Sequence, residues 1–156
     1  MSKKVLLAID LNSPGTWAAS YAIQLAARLQ ASLILMAILP EPPGGPNPHP
    51  GGVLMEDLKE EQRLWLGQVR EESQREGVPL EIFVSAGAFS REVLRFVSSQ
   101  PGIRFIVLGL TGGFPLKERQ AEAVVLRTLK RIFTGEILLV PGQGQIQRFT
   151  ELHRQN

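Results

Sequence analysis

A chain of 156 residues makes one domain at roughly 150 residues per domain, long enough to bury the greater part of its unfolded surface. With 44% hydrophobic and 21% charged residues it has a globular composition, which excludes a disordered, collagen-like or coiled-coil chain. Seventeen Lys+Arg against fifteen Asp+Glu leave a net +2, too weak a field to demand nucleic acid, and the absence of Cys excludes disulfides, thiolate nucleophiles and structural zinc.

The start Met1-Ser2-Lys3-Lys4 is basic, but Asp10 breaks the apolar run Val5 to Ile9 too early for a signal-peptide core. The longest apolar stretch, Leu33 to Leu39, falls far short of the ~20 residues that cross a bilayer. The expectation is a soluble, cytoplasmic protein with no membrane partner.

Val5 to Ile9, apolar throughout and ending at an acid, reads as a strand buried on both faces of a parallel sheet. Ser13-Pro14 offers an N-cap and a first-turn proline for a helix through Trp17, Ala18, Tyr21, Ala22, Leu25 and Leu29, ending near Gln30. Ser32 to Leu39 is strand two. Six prolines and four glycines among the thirteen residues Pro40 to Gly52 exclude both ladder and helix there, so residues 40–53 are expected to be a flexible loop. Leu54, Leu58, Trp65 and Val69 set one stripe of a surface helix that Gly77 ends. Leu80, Ile82 and Val84 alternate with Glu81 and Phe83 as a strand near a sheet edge, and Phe89, Val93, Phe96 and Val97 keep helical spacing.

Ile103 to Leu108 is strand four and runs into the turn Gly109-Leu110-Thr111-Gly112-Gly113. Val125, Leu129 and Ile132 mark helix four, with Arg127, Lys130 and Arg131 in its last turns and Gly135 after it. Glu136 to Val140 is strand five. The polar tail 142–156 has no predicted element, and the domain is expected to span 1–141. Five strands alternating with four helices imply an α/β fold, a single doubly wound, five-stranded parallel sheet of Rossmann-like order 3-2-1-4-5 with helices on both faces. Ligands of such sheets bind at the carboxyl ends of the strands, where Asp10 and Gly109 both stand.

Val5 to Asp10, the Gly109-Leu110-Thr111-Gly112 turn and the ending from helix four to strand five resemble the universal stress protein family, over residues 3–140. The resemblance implies an adenine-nucleotide alpha-hydrolase-like fold in which the strand-one aspartate, here Asp10, binds adenine and ribose. It also implies that a Gly-x-x-Gly, nine residues, Gly-Ser/Thr pattern wraps the triphosphate. Gly109 and Gly112 supply the first half. Nine residues from Gly113 to Ala121 then place Glu122-Ala123 where the family has Gly-Ser/Thr. Glycine there admits phosphate to backbone amides, whereas Glu122 brings a like charge. At 4 Å such a charge costs about 1 kcal/mol in water and about 4 kcal/mol at an effective dielectric of 20, a tenfold to thousandfold loss of affinity. Lys117, Arg119 or a magnesium ion in the intervening loop would offset part of that cost.

Ile9, Asp10, Ile38, Gly109, Gly112, Glu122 and Ala123 thus form the candidate pocket for an adenine nucleotide, ATP, ADP or AMP, with weak or absent ATP binding expected. The alternative is an ATP- or AMP-binding protein with slow ATP hydrolysis. No metal ligands and no catalytic residues are expected. His49 in a Pro-rich loop and His153 near the end lack the geometry of a general base, and Ser13 and Ser90 read as helix caps. The pairs Glu56-Asp57, Glu60-Glu61 and Glu71-Glu72 are surface charge. A response-regulator receiver needs an acidic pair, a phospho-accepting Asp and a Lys where Leu11, Ser85 and Gly142 stand. The resemblance further implies a homodimer through strand five, at Ile137, Leu138, Leu139 and Val140, whose apolar edge would invite aggregation if left bare. A regulatory stress-response module with an unidentified protein partner follows, and nucleic acid is not expected.

Overall fold

The structure, a computed structural model, describes residues 3–12, 14, 17–39, 55–110, 127–141 and 147–148. In chain order these form β1 (Lys4–Asp10), α1 (Trp17–Leu29), β2 (Ser32–Leu39), a 3-10 turn (Met55–Asp57), α2 (Glu60–Arg75), β3 (Leu80–Ala86), α3 (Phe89–Ser99) and β4 (Ile103–Leu110). They continue with α4, helical over 127–132, then β5 (Glu136–Pro141) and β6 (Gln147–Arg148).

One sheet of order β3-β2-β1-β4-β5-β6 runs through the molecule. The first five strands are parallel, as the alternation of strands and helices predicts, and β6 joins antiparallel, with Leu138 opposite Arg148 and Leu139 opposite Gln147. The winding reverses between β1 and β4, so α1 and α2 cover one side and α3 and α4 the other. Strands β1 and β2 are buried on both faces. Val5, Leu7, Ile9, Leu33, Leu35 and Ala37 meet α1 and α2, while Leu6, Ala8, Ile34, Met36 and Ile38 meet α3 and α4.

Several expectations need correction. Trp17 is 61% exposed rather than part of the α1 stripe, which is built from Ala18, Ala19, Ala22, Ile23 and Ala26. Small residues win there because the helix lies close on the sheet. Ile132 is likewise exposed, and Phe133, one residue beyond the helix, fills the core with Leu129. Helix α2 starts at Glu60, after the 3-10 turn, and buries Gln62, Leu66, Val69 and Ser73. Ser90 is the second residue of α3 and not its cap; Ala88 holds the cap position without a side-chain bond.

The expected end of α2 at Gly77 is a Schellman motif. Gly77 has φ 71°, its N–H donates to the Gln74 carbonyl at 3.1 Å, and the Val78 N–H donates to Ser73 at 2.9 Å. Gly135 is required for closeness rather than conformation, because a Cβ there would fall onto the Arg104 carbonyl oxygen.

Candidate functional site

Asp10 ends β1 at the switch point. Its Oδ1 accepts the Asn12 N–H at 2.9 Å, an Asx turn that bends the chain off the sheet, and the Leu11 N–H donates to the Ile38 carbonyl at 2.8 Å. A carboxylate offers about four lone-pair sites, so one turn bond leaves acceptor capacity for a ligand hydroxyl or amine. Asp10 pairs in register with Ile38, which pairs with Ser85. All three occupy the side that carries α3, since paired residues of neighbouring strands share a face.

The structure brings Asp10 and Ile38 together and sets Ile9 and Gly109 apart from them. Ile9 is fully buried in the α1 side of the core. A Cβ on Gly109 would come 3.0 Å from the Ala18 Cβ and 3.1 Å from Ile9 Cγ2, so this glycine lets α1 pack closely over β4. That is a sufficient structural reason for it, whatever its amide does for a ligand. Gly112, Glu122 and Ala123 lie outside the described residues, as do loop 40–53, Lys117, Arg119, His49 and His153.

A buried polar side chain that carries no sequence signature of its own, Gln62, stands beside the turn after β1. Gln62, buried in the first turn of α2, accepts the Lys59 N–H through Oε1 at 2.9 Å and donates through Nε2 to Asn12 Oδ1 at 3.1 Å. One amide therefore caps α2 and ties it to the turn that Asp10 holds. A shallow cleft of about 290 Å³ opens at this latch, lined by Leu11, Asn12, Pro14, Lys59, Gln62 and Trp65 among others. The capping-box spacing of residue 62 behind position 59 was the available signal, but Lys59 disguised it, since the usual Ser or Thr is missing.

At the end of β3, Ser85 Oγ is buried with no hydrogen-bond partner among the described residues. Glu92 of α3 is buried against Gly87, whose φ of 143° suits glycine, and accepts from Arg95 at 2.7 Å. Asp10 and Ser85 thus stand at the carboxyl ends of β1 and β3 on the α3 side, while Asn12 and Gln62 line the cleft on the α2 side.

The sequence profile of the universal stress protein family matches residues 1–138. The chain belongs to this family. Solved structures similar to this universal stress protein repeat its fold across nearly their whole length. A universal stress protein in complex with cAMP has a TM-score of 0.61 at 18% identity, covering 91% of this chain and 98% of that one. The universal stress protein UspA from Lactobacillus plantarum has a TM-score of 0.56 at 20% identity, covering 88% and 97%. A universal stress protein family member from Burkholderia pseudomallei has a TM-score of 0.55 at 22% identity, covering 89% and 96%. No curated relative matches the chain at a significant level. For this universal stress protein the expected strand order 3-2-1-4-5 is therefore both its own and that of its structural neighbours. Among the described residues no helix is long and apolar enough to cross a membrane.

Proposed function

We propose that this universal stress protein is a non-catalytic regulatory module of the stress response, which grips the nucleoside part of an adenine nucleotide and holds a triphosphate weakly or not at all. The observation that carries the reading is Glu122-Ala123 at the spacing where the family pattern has Gly-Ser/Thr. A carboxylate there repels the charge that glycine would admit. Asp10 and Ile38, adjacent at the carboxyl ends of β1 and β2, support a nucleoside subsite. The neighbour in complex with cAMP, which carries a single phosphoryl group, lends support to a ligand of low charge.

Calorimetry with ATP, ADP, AMP and adenosine, each with and without magnesium, tests the proposal. AMP or adenosine is expected to bind at least as tightly as ATP, and Glu122→Gly with Ala123→Ser is expected to tighten ATP by about tenfold to a thousandfold while leaving adenosine unchanged. Unaltered ATP affinity in that double variant would remove the electrostatic argument. Steady phosphate release by the wild-type protein that Asp10→Ala abolishes would instead favour the ATP-hydrolysing alternative.

We further propose a homodimer formed at the β5 side of the sheet. The bare edge expected of β5 is covered over Leu138 and Leu139 by β6, so among the described residues a second copy would displace a pairing of two residues. Leu138 is buried on the α1 side, with Val140, while Ile137 is buried on the other. A Leu138→Lys substitution would thus damage the core as well as any interface.

A further inference from the structure

Among the described residues, the side of the sheet covered by α3 and α4 is the more basic one. Arg91 and Arg95 on α3 and Arg127 and Arg131 on α4 are exposed, and Lys130 is half-buried. Lys4 lies on this side too, because it alternates with Ala8 and Leu6 of the same core cluster. Among the described residues the acids on this side are Asp10 at the far end, Glu81, and Glu92, which is spent on Arg95 at 2.7 Å. Glu136 alternates with Leu138 and Val140 and so belongs to the opposite side. There, α2 carries Glu60, Glu61, Glu71 and Glu72 among its arginines. Among the described residues, cationic excess is therefore a property of one side of the sheet.

At their carboxyl ends α3 and α4 part over the start of β4, leaving a shallow cleft of about 380 Å³ lined by Val97, Ser98, Ile103, Ile132, Phe133 and Thr134 among others. Ile132 on its rim is 52% exposed. Arg131 precedes it, and Lys4 pairs in register with Ile103 at the cleft floor. Ile132 stands exposed beside a cleft whose buried floor, Val97, Ile103 and Phe133, is apolar and whose rim carries Ser98, Gln100 and Thr134, and Lys4, Arg127 and Arg131 lie on the same side of the sheet. Such a surface is complementary to a ligand that is apolar at its centre and acidic at its margin.

We propose that this α3–α4 surface docks an acidic amphipathic segment of a partner protein, with one apolar side chain entering the cleft and carboxylates meeting Arg127, Arg131 and Lys4. A nucleic-acid backbone would use the cations but leave Ile132 and the cleft without a counterpart, so charge and apolarity together favour a peptide. The surface lies at the amino end of β4, away from the nucleotide crevice, and its occupancy is measured independently of any nucleotide.

The probe is a fluorescein-labelled peptide of glutamate and leucine at helical spacing, titrated with the full chain and followed by anisotropy, with a lysine-and-leucine peptide and a single-stranded DNA as comparisons. Saturable binding of the acidic peptide alone is expected, weakening as salt shortens the Debye length from about 10 Å at 0.1 M to about 3 Å at 1 M. Arg127→Glu with Arg131→Glu is expected to weaken it roughly tenfold or more, the scale of two near-surface charges, and Arg70→Glu on α2 to leave it unchanged. Ile132→Asp, at an exposed site where folding tolerates it, should weaken it as well, and amide shifts in NMR spectra should map to 97–103 and 132–134. The proposal is overturned by absence of saturable binding, by indifference to the α4 substitutions in folded protein, or by binding of the DNA in place of the peptide.

Discussion

At Asp10 the carboxylate serves the backbone before it serves any ligand, because its bond to the Asn12 N–H fixes the turn out of β1. The two roles separate by substitution. Asp10→Asn keeps an acceptor for the turn and should leave stability nearly intact while weakening a nucleoside bound through the carboxylate. Asp10→Ala should lose about 1–2 kcal/mol of stability as well, measured by urea denaturation. Gly109 invites the same comparison. If packing against Ala18 and Ile9 is its purpose, Gly109→Val should destabilise by about 1–3 kcal/mol through overpacking, with no ligand present. Equal stability would return the glycine to a role in binding alone. Both residues were legible in the sequence as strand-end positions, yet their division of labour was not, since it depends on which face of the sheet each presents.

The helices show where local pattern suffices and where it fails. Gly77 announces the end of α2 because only glycine adopts its φ cheaply, whereas α1 ends in the same Schellman geometry without one. The Gln30 N–H donates to Ala27 at 3.2 Å and the Ala31 N–H to Ala26 at 2.8 Å, with Gln30 at φ 53°. A left-handed conformation costs an L-residue about 1–2 kcal/mol, part of which glycine returns as extra entropy of the unfolded chain. Gln30→Gly is therefore expected to stabilise by about 0.5–1 kcal/mol, raising Tm by roughly 1–4 °C in a scanning calorimeter. Periodicity placed α3 well but put Trp17 and Ile132 inside, because an apolar residue at the end of a helical stripe can overhang the sheet it was meant to cover. Gln62 is the converse case, a polar residue buried because two hydrogen bonds satisfy its amide.

For the molecule as a whole, the proposed dimer turns on the β5–β6 edge, where β6 pairs antiparallel with β5. Light scattering is expected to give a dimer mass for the full chain, and removal of residues 142–156 should preserve or strengthen the dimer by baring the β5 edge. A monomer mass for both forms would end the β5 proposal, and a dimer lost with the tail would assign the contact to β6. The alternation of strands and helices, and with it the doubly wound parallel sheet of five strands, was legible in the sequence, whereas β6 was not. Short apolar runs alternating with helical stripes admit few windings once right-handed crossovers are required. Asp10 was legible too, because an acid ending a buried strand marks the carboxyl edge. Tertiary structure alone decided that Ile9 and Gly109 face α1 while Asp10 and Ile38 face α3, that Gln62 latches the Asp10 turn to α2, and that most acids of the described residues fall on the α1–α2 side, leaving the cationic excess on the other. Those outcomes depend on contacts between residues distant in the chain, which hydrophobic period and turn chemistry do not encode.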